Sequence, residues 1–477
     1  EQNGWVAPVE ITDEVHFKGA DDTATLEVEA VDLLRPPGLV GQLAQWINNR
    51  NRHAREHLAV AAAIATISSV AGMRYKDPLD GVTPNVFLFG VSGSATGKES
   101  VLKSHQELLR AAGVSSAVHG GMKSEQEIYR NLIRNQAALY VMDELGEQLA
   151  KIQNARTKGT ASYLEGIIGT VMSLYSKANS YALITGDLQE DIRKQLQQEA
   201  SAVNKRMDER GENEADNHSL ERITRQLETI DRGIENPYLC MFGLTTPERF
   251  DGLMDFDMSV NGFLGRALIF REREDNPKSK KRGDMVRGDV PDDMAATLQN
   301  LYAPGRFDMQ GGRVERIGEV VEIPTRPEAE RMLDEVEHSF WLMAEDAKNA
   351  TGLTPIPRRG YEQVAKVSMI LAIPEGLRTV EHVRWAYALV RRDIDEKMNL
   401  AHSNSAVDKV DALASSIMAA VTSEHGETAG RIRNKCRKYR KEDIEKCLDK
   451  LVQAGHLRAE EAPAGKGKTT IKYFAVG

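Results

Sequence analysis

The chain has 477 residues, 28% charged and 41% hydrophobic, with a formal net charge of −9, a soluble globular balance that excludes fibrous and disordered classes and leaves room for about three domains of roughly 150 residues. The acidic excess excludes nucleic-acid binding over the whole surface, so any such contact must lie on local basic segments. Cys240, Cys436 and Cys447 are the three cysteines; they lack paired metal-ligand spacing, which points away from a zinc framework and toward a reducing, cytoplasmic setting.

Residues 1–32 are acidic and weakly patterned, and "RPPG" (35–38) punctuates before two helical segments, about 39–49 and 55–73, in a helical N-terminal region spanning 33–80. The second segment contains "LAVAAAIATISSVAG" (58–72), which is too short to span a bilayer comfortably and reads as a buried helix, so no membrane is expected as a partner. The start of the sequence lacks the basic-then-apolar pattern of a secretory signal.

An apolar run, "NVFLF" (85–89), leads into "GVSGSATGKES" (90–100) and then a helical pattern from Lys98 to Ala112. A second helical pattern, 124–134, precedes "AALYVMDELG" (137–146), and further runs follow in "YLCMFGLTT" (238–246) and "ALIFR" (267–271). Apolar runs separated by helices predict an α/β core with a buried parallel sheet over about 81–275. Between the second and third runs, Ile192, Leu196, Val203, Leu220, Ile223, Leu227 and Ile230 recur at helical spacing around a polar break, predicting a helical hairpin inserted at about 187–232. A basic linker with loops (276–325), a helical region (326–402) and a last segment (406–477) of three helices and two strands complete the order, the last resembling a winged helix.

The loop at 90–100 asks whether it cradles phosphate. Backbone N–H groups of a Gly-rich loop bind phosphate oxygens, and the helix that follows adds its positive end. Gly93, Ser94, Ala95, Thr96, Gly97, Lys98, Glu99 and Ser100 are the candidate binding residues. Two departures stand out from the pattern G-x-x-x-x-G-K-[ST]: Ser92 occupies the first Gly position, and Glu99 the position of the magnesium-binding hydroxyl. Either Glu99 or Ser100 could therefore meet a magnesium ion.

Downstream, Asp143 and Glu144 end an apolar run, as a metal-binding acid and a water-orienting base would in nucleotide hydrolysis; two acids capping a strand would look the same. Thr245 and Thr246 end the third run, where a hydroxyl can sense the terminal phosphate, although a Thr-Thr-Pro turn opening a helix explains them equally. Arg266 is the leading candidate for an arginine that reaches a neighbouring subunit's phosphate, with Arg249, Arg358 and Arg359 as competitors.

From Arg431 onward the chain holds 13 Lys or Arg against six Asp or Glu. Arg431, Arg433, Lys435, Arg437, Lys438, Arg440 and Lys441 flank a helix-to-helix turn, and Lys466 and Lys468 lie at the presumed wing tip, placements that grip DNA phosphates. A solvated helical face or a protein-binding winged helix is the alternative.

"LLRPPGLVGQLAQWI", "LFGVSGSATGKES", "SEQEIYRNLI", "YVMDELG" and "NGFLGRALIF" together resemble a family of ATPases carried by phages, prophages and plasmids, similar to hexameric replicative helicases and often fused or linked to a primase. The likeness covers about residues 33–400, and several members carry Gly-Lys-Glu in the loop. It implies a P-loop NTPase core of RecA or AAA+ type, ATP and Mg2+ as cofactors, and ATP-site roles on Lys98, Asp143, Glu144 and Arg266. It further implies a homo-hexameric ring that drives DNA through its centre during replication of a mobile element. No primase motif accompanies these residues. A DNA-binding switch or helicase loader that recruits host replication proteins without unwinding is the competing expectation.

Overall fold

The computed structural model describes residues 14–15, 31–158, 162–211, 213–251, 262–274, 277–302, 320–350, 354–421, 426–437, 439–463 and 469–475. Lys438, Lys466 and Lys468, and most of segment 1–32, lie outside them. Two compact units divide at Met398/Asn399.

The first unit is a mixed α/β structure around a five-stranded, all-parallel sheet. Its strands are β1 (Phe87–Val91), β2 (Val118–His119), β3 (Ala137–Met142), β4 (Tyr238–Thr245) and β5 (Ala267–Arg271), in the spatial order β5-β1-β4-β3-β2. Every residue of β1, β3 and β4 is buried, which is why these strands read as continuous apolar runs rather than alternating ones. The Asn85–Phe89 run is offset: the strand starts at Phe87 and continues through Gly90 to Val91.

Helix α1 (Gly38–Arg50) packs on α2 (Glu56–Ala71), and α2 is buried at every position from His57 to Ala71. Its alanines allow that approach, because small side chains bring backbones close without voids. Helix α3 (Lys98–Ala111) follows β1 and lies on α2. There His105 is fully buried, its Nδ1 2.8 Å from Thr66 Oγ1 and its ring edge-on to Phe242.

Burial pushes the His105 imidazole down to about 3. The unfolded chain therefore binds a proton near pH 6.5 that the folded chain refuses, so stability falls as pH drops below about 6.5. From pH 7 to pH 5 this should remove about 2 kcal/mol. His105→Gln should lose less over the same range, as denaturant melts of both chains at the two pH values would reveal.

Helices α4 (Glu125–Asn135), α5 (Leu145–Lys158) and α6 (Ser162–Ser176) connect β2 to the segment before β4. Helices α7 (Gly186–Arg210) and α8 (Glu214–Arg232) then pack antiparallel, tied by Arg193–Asp231 at 2.6 Å and Arg206–Asp216 at 3.2 Å. They rise from a ribbon of Tyr181–Ala182 paired with Ile234–Glu235.

The stretch read as a linker from residue 276 holds regular structure and firm contacts. Lys280 N donates to Arg52 O, Val286 N to Asn49 O, and the Lys280 ammonium to Asn48 O at 2.7 Å. A cation thus meets the carbonyl end of α1, where the helix dipole is negative. A helix, Asp292–Tyr302, follows and packs on α2 and α3.

β5 is a sheet edge whose backbone is covered by side chains. Asp393 accepts from Ile269 N at 2.8 Å, and Lys397 donates to Ala267 O while pairing with Asp393. This satisfies polar groups that an open edge would expose. Both residues belong to a helix running unbroken from Val380 to Ala420. The sequence suggests a boundary at about 402–406, yet no Gly or Pro occurs between 380 and 420, so nothing interrupts the hydrogen-bond ladder.

In the second unit, helices Ala429–Lys435 and Lys441–Gln453 and the end of the long helix enclose a core that includes Leu413, Ile417, Ile432, Cys436, Ile444, Cys447 and Leu457. A three-stranded antiparallel sheet places Thr469–Ala475 between Glu427–Thr428 and Leu457–Pro463. Among the described residues, no helix is long and apolar enough to cross a membrane.

Candidate nucleotide site and basic C-terminal face

In a parallel sheet every strand ends on the same edge, so the turns after β1, β3 and β4 open together. Val91 pairs with Thr245 and Met142 with Gly243, which sets the β1–α3 loop and the Asp143–Glu144 turn on either side of the end of β4.

The loop is closed from within. Ser92, buried, donates its N–H to Thr245 O at 3.1 Å, and its hydroxyl lies 2.8 Å from Thr96 Oγ1, which also bonds Gly93 O at 2.9 Å. The serine in place of the first glycine thus has a use: its side chain crosses the loop. Ala95 (φ 58°) and Gly97 (φ 86°) take left-handed conformations, and Gly97 hands the chain to α3, whose first turn carries Lys98, Glu99 and Ser100. Ser94, Ala95, Gly97 and Glu99 are exposed, whereas Gly93, Lys98 and Ser100 are half-buried.

Lys98 is the electrostatic centre. Burial lowers its ammonium below the usual lysine value, while Asp143 foremost, then Glu99, Glu144 and Glu248, pull it back up. Asp143 and Glu144 are exposed at the end of β3. Their turn sits tightly against β4, because a Cβ at Gly146 would come within 2.1 Å of Thr245 Oγ1. A side chain there would have to displace Thr245 or the turn itself.

Thr246 serves the short helix α9 (Pro247–Asp251). Its hydroxyl helps hold the Glu248 carboxyl below its ordinary value, after the residue's own backbone N–H and ahead of Lys98. Thr246 therefore opens a helix, while Thr245, buried, lines the turn of the acids. Glu248 is a site neighbour that sequence reasoning missed; an acid in the first turn after Thr-Pro is what any helix start shows. Arg55 was missed too: buried, it donates from Nε to Thr96 O at 2.9 Å and from Nη1 to Glu274 O at 2.7 Å.

Arg266 precedes β5, five residues before Arg271, the partner of Val91. At about 3.3 Å per residue it lies roughly 16 Å along the sheet from the loop's edge. It donates to Gly262 O at 2.9 Å and to Ser176 Oγ at 3.3 Å. Its own chain's loop is therefore out of its reach. Arg359, which donates to Glu362 at 2.8 Å, shares its surroundings. Arg249, on α9 near the loop, pairs with Glu147 at 3.2 Å, and Arg358 is exposed.

The positive charge of the C-terminal unit is partly cancelled where it stands. Glu427 holds Lys435 at 2.9 Å and Arg431 at 3.7 Å; Glu445 holds Arg433 at 3.1 Å and Lys441 at 3.9 Å. Arg437 and Arg440 are exposed and make no ion pair among the described residues.

No protein-family model matches this chain, and no curated protein is significantly similar to it. Its function must be argued from the arrangement just described.

Proposed function

We propose that the chain is a P-loop ATPase acting on DNA. The observation that supports this reading most is the convergence of the Ser92–Gly97 loop and the Asp143–Glu144 pair on Lys98, at the carboxyl edge of a parallel sheet. Ligands of α/β sheets bind outside that edge, and a loop leading into a helix N-terminus there suits a polyphosphate. Lys98 would neutralise the phosphates, and Glu144 would take a proton from, or orient, the attacking water.

Among the described residues no three His, Cys, Asp or Glu side chains form a metal site by themselves. Magnesium takes one or two carboxylates and completes its shell with substrate phosphates and water, and the donors here fit that chemistry. Asp143 would hold it, with Glu99 or Ser100 as the second protein oxygen. When bound, the ion would supply charge neutralisation at the phosphates.

Arg266, out of reach of its own loop, suits a ring in which each chain completes its neighbour's site. A homo-hexamer moving single-stranded DNA, with the C-terminal unit as a winged helix gripping duplex, is the form proposed. Arg437 and Arg440 are its main phosphate contacts. The Arg437→Glu/Arg440→Glu double variant should bind duplex more weakly and flatten the plot of log affinity against log salt by about 1.8, the expected slope for two lost phosphate contacts. An unchanged slope would place the contacts elsewhere.

Neutralisation of Arg433, Lys435 and Lys441 by Glu427 and Glu445 favours a second form, a loader whose C-terminal unit holds a protein partner, with a primase or host replication protein as candidate. Unwinding of forked DNA by the assembled, ATP-supplied protein supports the motor. DNA-stimulated hydrolysis without unwinding supports the loader.

A further inference from the structure

We propose that Arg55 is a positioning residue of the candidate phosphate site, turning the Thr96–Gly97 peptide so that the Gly97 N–H faces a bound polyphosphate. The inference rests on the nucleotide reading above and places a determinant of that site 41 residues before the loop residue it holds.

Arg55 is 1% exposed although it carries a permanent charge, and such a group stays buried only where its donors are used. Nε donates to Thr96 O and Nη1 to Glu274 O, so one planar fork joins the tip of the loop to the segment after β5. Its own backbone is held in turn: Arg55 N donates to Asn48 Oδ1 at 2.9 Å, and Arg55 O accepts from Ala59 N at 2.8 Å in the first turn of α2. The N-terminal helices thus act as a mount for the guanidinium.

No peptide bond among the described residues is cis, and in a planar trans peptide the C=O and the following N–H point in opposite directions. With Thr96 O drawn inward to Arg55, the Gly97 N–H must point away from Arg55. Open space flanks Gly97, where a Cβ would meet no atom within 4 Å. The Thr96 side chain cannot turn the peptide back without breaking its bonds to Ser92 and Gly93. A lysine would keep the charge but not the fork, because an ammonium lacks the fixed planar donors that reach two diverging carbonyls.

The test uses the full chain and three proteins: native, Arg55→Lys and Arg55→Ala. Apo melting is recorded for each, together with equilibrium affinity for ATP, for inorganic tripolyphosphate and for adenosine. Both variants should bind ATP and tripolyphosphate about 10- to 100-fold more weakly, the loss expected for one charge-assisted hydrogen bond, with adenosine unchanged. Ethylguanidinium at sub-denaturing concentration should restore affinity to Arg55→Ala and leave the native chain unaffected.

Native-like affinity for ATP and tripolyphosphate in Arg55→Lys would overturn the proposal while leaving the nucleotide reading intact. So would losses that follow a lowered apo melting temperature in both variants without rescue, which would make Arg55 a staple of the core. If the native chain binds neither ATP nor tripolyphosphate, the nucleotide reading itself falls and takes this inference with it.

Discussion

Replacing Glu144 with Gln should lower ATP turnover by about 100- to 10,000-fold, the range a positioned general base supplies, while ATP stays bound. Glu144 is exposed at the end of β3, beside Asp143 and within the electrostatic reach of Lys98. Glutamine keeps the size and one acceptor oxygen but cannot take a proton, so binding and chemistry separate. Single-turnover phosphate release, set beside equilibrium nucleotide binding, reads the two. Turnover close to the native value would move the base elsewhere, and Glu248, which also faces Lys98, would be the carboxylate to replace next.

Lys98→Ala should weaken ATP binding by about 10- to 100-fold, the cost of one charged hydrogen bond of about 1.5–3 kcal/mol, and should leave adenosine binding untouched. Burial lowers the pKa of Lys98 in the free chain, and a polyphosphate beside it would raise that value again. The sign follows: the bound state holds the proton more tightly, so affinity is complete below the free-state pKa and falls as pH rises through it. In the native chain, calorimetry in buffers of different ionisation enthalpy should show proton uptake on binding in the alkaline range. Lys98→Ala should show none from this group, and equal uptake in both chains would assign the proton to another residue.

Four of the five strands of the parallel sheet are legible in the sequence because they are buried apolar runs, whereas β2, two half-buried residues long, leaves no such run. Phe87, Leu139 and Phe242 needed no polar alternation to declare themselves. Their parallel arrangement also follows from the helices between them. The order of the strands does not: nothing in the residues themselves says that β4 lies between β1 and β3, and that order brings Thr245 between the loop and the acids. The same limit hid the role of Ser92. In one dimension it is a missing glycine; folded, it bonds Thr96 across the loop.

Charge was the least legible property, since a count of lysines and arginines carries no record of which carboxylates stand opposite. Glu427 lies just before the basic helix and Glu445 on the following one, and between them they engage four of the cations that the sequence offers to DNA.

Local chemistry alone determined where the chain would form buried strands, where Gly97 would permit a left-handed turn, and which lysine and acids could meet a phosphate, because each depends on residues adjacent along the backbone. Only the tertiary structure decided that Arg55 grips the loop, that Glu248 joins the acids around Lys98, and that Arg266 stands at the opposite edge of the sheet. These depend on distances between segments far apart in the chain, which strand order and helix packing set and no local pattern encodes.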